Sequence, residues 1–403
     1  MDNMLQKHRS VGVIPPYVLS QRRKNMFDKT ICVVAGDRGG LNALLPVLSI
    51  ALENGCNVHA FLAATCKTQY EASHLKLDSR IQVVTGDATM HDVGDFFSTR
   101  ECDLLLIGAS QSQEGAQAAI HAMSHKGLTT HIISVEDMYG SIGPIIDSAG
   151  EYFSTLCVID QFAQEIAVER DITLTDRIAI TGGPQFDKAV EVKQNWAERR
   201  ACIRNALRAK DDTLVFLLAG GVNGSAELLE IVDKGIEIAG VEDMAQVLLR
   251  MHPRSTSEDQ QVLGKYYADR LGILHEGDGK QAAANIDDLL PGVDFVLSGF
   301  STVNHLGILY EMPGVVYVGT PAFRQDLMAE KNLERPPEVK AGAAWYVQTP
   351  EDMARVIRAL TLSDVVKSRD VRFIRDEQHR IASYNDGHAA ERVWQEMCKL
   401  MSK

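Results

Sequence analysis

The sequence predicts an α/β protein built from two doubly wound units, and three observations carry that expectation. The chain has 403 residues, more than a single hydrophobic core organises efficiently. From residue 29 onward, short apolar runs alternate with amphipathic stretches, the pattern of parallel strands joined by crossover helices. The series then starts afresh at Leu214, after a segment dense in Lys, Arg and Glu around Trp196.

Residues 1–28 read as a polar arm, with Pro15-Pro16 and a basic cluster at Arg22, Arg23 and Lys24 but no periodicity. An N-terminal unit over 29–190 takes its strands from Ile31 to Val34, Val58 to Leu62, Ile81 to Val84, Asp103 to Ile107, His131 to Val135, Leu156 to Ile159 and Arg177 to Thr181. Residues 191–212 are expected to form a charged hinge helix. A second unit over 213–362 takes its strands from Leu214 to Leu218, Val247 to Arg250, Gly272 to Leu274, Phe295 to Leu297, Val315 to Val318 and Ala344 to Val347. Residues 363–403 are helical by pattern, with Val393, Met397 and Leu400 at helical spacing, and are expected to close the molecule as a pair of helices.

Composition narrows the function. Hydrophobic residues make up 45% and charged residues 24% of the chain, as in an ordinary globular protein. The formal net charge of −13 argues against bulk nucleic-acid binding. No apolar run approaches the ~20 residues that cross a bilayer, and no secretion signal is evident, so the expected location is the cytoplasm. Seven cysteines without a Cys-x-x-Cys pair fit reduced thiols rather than a disulfide framework or a zinc site.

In open parallel sheets, ligands sit beyond the carboxyl ends of the strands, so the candidate residues are those that follow each apolar run. After the first comes Gly36-Asp37-Arg38-Gly39-Gly40, where small residues and helix N–H groups admit close approach and an anion. Asp37, Arg38, Gly39 and Gly40 are therefore candidate cleft or acceptor residues. Glu136-Asp137 ends a buried strand, and a carboxylate there can take a proton from an acceptor hydroxyl. The Gly182-Gly183-Pro184 turn places the hinge.

In the second unit, Gly220, Gly221, Asn223 and Gly224 open a helix and offer amides to a phosphate. Arg250, His252 and Arg254 follow one strand, and Ser298, Gly299, Ser301, Thr302 and Asn304 follow another. A cationic side chain at a strand end neutralises a leaving phosphate, and hydroxyls at a helix N-terminus add to its amide donors. Neither Gly-x-Gly-x-x-Gly nor a Walker sequence occurs, and Val303 breaks the Gly-x-Ser-x-Gly elbow. His121 and His125 share a helical face, but Ala122 after His121 excludes His-Glu-x-x-His, and no metal site is expected.

The order of these motifs resembles the GT-B glycosyltransferase superfamily over nearly all of 29–403. The resemblance implies two Rossmann-like domains facing a cleft, with the nucleotide sugar held mainly by the C-terminal one. His252-Pro253 followed by Ser301-Thr302 is similar to the His-Pro and Ser-Ser/Thr elements of capsule-type transferases, including polysialyltransferases and CDP-glycerol glycerophosphotransferases. It implies donor-phosphate contacts at those residues, and Glu136-Asp137 lies where those families keep an acidic catalytic motif. Gly36-Asp37-Arg38 with Leu44-Leu45-Pro46-Val47 also looks like the first loop and helix of the non-hydrolysing UDP-N-acetylglucosamine 2-epimerases. Here Gly108-Ala109-Ser110-Gln111 stands where an epimerase would carry an acid.

The expectation is a transferase that moves a sugar or related polyol phosphate from a nucleotide-activated donor to an acceptor hydroxyl. Asp137 or Glu136 would be the base, and His252 would stabilise the departing phosphate. The nucleotide sugar would be a co-substrate, with no tightly bound cofactor. Polysaccharide biosynthesis is the expected setting, with the acceptor open and the N-terminal arm compatible with a homodimer. A nucleotide-sugar 2-epimerase and a noncatalytic nucleotide-sugar-binding or assembly subunit are the alternatives.

Overall fold

The computed structural model describes residues 29–87, 89–109, 114–125, 130–250, 261, 274–275, 286–361 and 369–402, with the side chains of 90, 124, 125, 274 and 275 left aside. Two parallel sheets organise the chain. The first contains β1 (Thr30–Ala35), β2 (Asn57–Ala63), β3 (Ile81–Gly86), β4 (Leu104–Gly108), β5 (His131–Val135), β6 (Thr155–Val158) and β7 (Ile178–Ile180) in the order β3-β2-β1-β4-β5-β6-β7. The second contains β8 (Leu214–Ala219), β9 (Ala245–Arg250), β10 (Leu274–His275), β11 (Phe295–Ser298), β12 (Val315–Val318) and β13 (Trp345–Val347) in the order β10-β9-β8-β11-β12-β13. Each expected apolar run overlaps one of these strands, except that of the run Gly272 to Leu274 only Leu274 lies among the described residues.

The order reverses beside β1 in the first sheet and beside β8 in the second, which makes two topological switch points. The central strands β1, β4, β8 and β11 are almost wholly buried because helices cover both faces. Edge strand β3 alternates between half-buried and exposed residues instead. One contiguous apolar cluster runs from Leu105 and Ile107 through Tyr139 and Phe186 into Val303, Leu306 and Tyr317, so the two domains share packed surface.

The segment expected as a single hinge helix is two helices, Ala189–Gln194 and Trp196–Ala206, with the break at Asn195. The longer one is fixed to the second domain. Arg200 and Arg204 donate to the two carboxylate oxygens of Asp294 at 2.6 and 3.0 Å.

The expected closing pair divides between the domains. Helix Asp370–Ala382 anchors on the second, where Gln378 Nε2 donates to the Met312 and Ala343 carbonyls at 2.8 and 3.0 Å. Helix Ala389–Met401 crosses back and buries Val393, Met397 and Leu400 against the first sheet's core. Its entry is held by Asp187, whose two oxygens each accept a backbone N–H, from Ala389 and Ala390, at 2.9 Å. An anionic acceptor at a helix N-terminus satisfies orphan donors and suits the helix dipole. No helix among the described residues is long and apolar enough to cross a membrane.

Candidate functional site

The loop after β1 turns into helix Arg38–Glu53, which is capped by the Asp37 carboxylate accepting from Gly40 N at 3.0 Å. Arg38 is exposed and donates to the Thr65 carbonyl at 3.0 Å. Gly39 lies directly against the Asp137 carboxylate, with no room for a side chain between them. The loops after β1 and β5 therefore meet at one point, and an acid is placed beside a helix N-terminus, where its charge is favoured.

The adjacent acids Glu136 and Asp137 have different surroundings. Glu136 is 1% exposed, and its oxygens accept from Gly140 N at 3.1 Å and Ile159 N at 3.4 Å. Burial pushes its carboxyl up to about 8, opposed mainly by the Ile159 hydrogen bond. Its side chain thus clasps its own loop to the end of β6.

Asp137 is half-buried, and its Oδ1 is shielded from solvent with no hydrogen-bond partner. Burial raises its carboxyl to about 6, with the Lys331 charge opposing that shift and Asp37 adding to it. Gln185 Nε2 donates to the Asp137 carbonyl at 2.6 Å and pins the loop from below. Lys331, from helix Pro321–Lys331 of the second domain, is buried with its Cβ against Gly140. The constellation is a carboxylate raised toward neutrality with one unpartnered oxygen, a helix N-terminus beside it and the Lys331 charge nearby.

Sequence reasoning singled out Asp37, Gly39 and Asp137, and the fold brings them together. It missed Lys331 and Gln185. Gln185 stood in a turn read only as a hinge, and Lys331 ends a surface-type helix whose sequence carries no signal of a partner in the other domain.

The second-domain loops also converge. Gly220 N donates to the Arg250 carbonyl at 2.9 Å, joining the loops after β8 and β9. Phe323 fills the space beside both Gly221 and Gly299, and a Cβ on Gly221 would meet Phe323 Cε1 at 2.5 Å. The glycines at these positions are required by that ring. Gly224 precedes the helix Ser225–Ala239 and Asn223 is exposed beside it.

Ser301 caps helix Thr302–Leu309, its hydroxyl accepting from Val303 N at 3.3 Å, and Thr302 is exposed. Ser298 is buried with an unpartnered hydroxyl, while Asn304 is spent on the core, its Nδ2 donating to the Val316 carbonyl at 2.9 Å. His252, Arg254, Ser110 and Gln111 lie outside the described residues, as does the arm 1–28.

No protein-family model matches the chain, and no curated protein matches it in sequence. Solved structures do resemble it. The UDP-GlcNAc 2-epimerase from Neisseria meningitidis bound to UDP-GlcNAc superposes with a TM-score of 0.63 at 12% identity, covering 92% of this chain and 100% of that one. The wall teichoic acid polymerase TagF gives a TM-score of 0.56 at 12% identity, covering 96% and 95%. A glycosyltransferase from Rickettsia africae gives 0.58 at 11% identity, covering 93% and 99%. At such identities the likeness concerns the fold, and the chain has the GT-B fold that these structures share.

Proposed function

We propose that the chain moves a sugar or related polyol phosphate from a nucleotide-activated donor to an acceptor hydroxyl, with Asp137 as general base. The observation that carries this reading is the unpartnered Oδ1 of Asp137 at the end of β5, on a carboxyl raised to about 6. Such a group is ionised at neutral pH and basic enough to accept a proton in the transition state. Glu136, with both oxygens engaged by backbone amides, shapes the loop in this reading.

The donor belongs to the loops gathered around Phe323. The first amides of helix Thr302–Leu309 and the unpartnered Ser298 hydroxyl suit a departing phosphate, and His252 and Arg254 of the neighbouring loop would add charge. Preorganised donors aimed at developing charge are usually the largest single catalytic term.

The likeness to the full length of the Neisseria epimerase supports a second reading, epimerisation of a nucleotide sugar. One experiment separates the two. Thermal shift against UMP, UDP, CMP, CDP, GDP, dTDP and ADP identifies the nucleotide, and NMR of its sugar conjugate, with and without acceptor sugars, identifies the product. Nucleotide release that requires an acceptor supports transfer, and an inverted sugar still on its nucleotide supports epimerisation. Saturable binding without either product overturns both and leaves a binding subunit.

A further inference from the structure

We propose that His305 is a positioning residue that locks the loop carrying Asp137 onto the donor loop of the other domain. His305 lies on helix Thr302–Leu309, one residue past Asn304, and is completely buried. Its Nδ1 is 3.3 Å from Glu338 Oε1, also completely buried and also in the second domain. The ring itself faces the first domain. It packs edge-on to Tyr139, with centroids 5.5 Å apart at 78°, and tilts against Phe186 at 4.8 Å.

Both contacts lead to Asp137. Tyr139 is two residues beyond it, and the Tyr139 hydroxyl is tied to Asp160. Phe186 follows Gln185, whose amide holds the Asp137 carbonyl. One imidazole thus touches both segments that set the base, while its own helix begins at Ser301-Thr302.

A leucine or phenylalanine would fill this space without burying a polar pair, and a buried pair is poor value as packing alone. His305 Nε2, Glu338 Oε2 and the Tyr317 hydroxyl have no hydrogen-bond partner here, so the network retains unsatisfied polar atoms in the core. What Glu338 supplies that packing does not is a fixed ring orientation. Edge-to-face geometry depends on that orientation, so the pair sets the angle at which the two loops meet. The catalytic part of this inference rests on Asp137 acting as base, whereas the locking part stands on the contacts.

Hydrogen exchange of the full chain, read by mass spectrometry, tests the lock. Glu338→Leu removes the anchor and leaves His305 Nδ1 unpaired, and Glu338→Gln keeps an acceptor for the ring. In Glu338→Leu, amides of 136–142 and 182–188 in the opposite domain should exchange about tenfold faster, with β1 and β4 unchanged. Glu338→Gln should restore the protection. Faster exchange confined to 300–310 and 337–345 would reduce His305 to packing within its own domain and overturn the proposal.

If Glu338→Leu does not fold, Tyr139→Leu approaches from the other side and should loosen 300–310. Unchanged exchange there overturns the lock equally. Where turnover is found, Glu338→Leu should lower kcat and leave donor KM near wild type, because donor contacts remain and only the base is misplaced. A rise in KM alone would overturn the positioning role. Absence of turnover with every donor would strike the base assignment and leave the exchange result to decide the lock.

Discussion

The Asp137 carboxylate occupies the space that a Cβ on Gly39 would need. The base candidate and the first helix N-terminus are therefore set against each other by the lack of a side chain at one position. Gly39→Ala should displace the carboxylate and lower turnover by roughly a hundredfold, the effect expected of a misplacement near 1 Å. Nucleotide-induced thermal shift should persist, since the loops proposed to hold the nucleotide are in the other domain. Full activity in this variant would show that the contact does not matter to chemistry.

Asp137→Asn should keep the fold and nucleotide binding while lowering kcat by about two to four orders of magnitude. The wild-type rate should fall as pH drops through about 6, because the base must be ionised and burial has raised its carboxyl to that value. A flat acid limb would place the proton transfer elsewhere.

The Lys331 charge opposes the rise that burial gives the Asp137 carboxyl. Lys331→Met removes that charge and should move the acid limb of the pH–rate profile to higher pH. A shift to lower pH, or none, would separate Lys331 from the site.

Glu136 is predicted to couple stability to pH. Its folded value is raised to about 8, so the native state holds a proton that the unfolded chain releases. The stabilisation is fully present below the ordinary glutamate value of 4.5 and is lost as pH rises through about 8. Glu136→Gln carries no such titration, so its thermal midpoint should gain on the wild type steadily between those limits. Parallel midpoints across the range would remove this linkage.

The strands were legible because fully buried parallel strands must be apolar runs, and their restart at Leu214 marks a second sheet. The glycine and hydroxyl loops were legible because strand ends in such sheets face the ligand crevice, which fixed attention on Asp37, Gly39, Asp137 and Ser298. The roles of Glu136 and Asp137 were not separable, since adjacent residues point in different directions and only the fold shows which one meets backbone amides. The destination of the last helix was hidden for a similar reason. Val393, Met397 and Leu400 announce an apolar face but not which core receives it, and Asp187, 202 residues away from Ala389, makes that choice.

The sequence by itself determined the layered α/β architecture, the strand positions and the loops able to hold an anion, because burial and backbone geometry are read from neighbours in the chain. Only the tertiary structure decided that Lys331 faces Asp137, that Phe323 seats between Gly221 and Gly299, and that His305 bears on Tyr139. Those relations join residues far apart in sequence, and their energies come from shape and charge at contact, which no local pattern encodes.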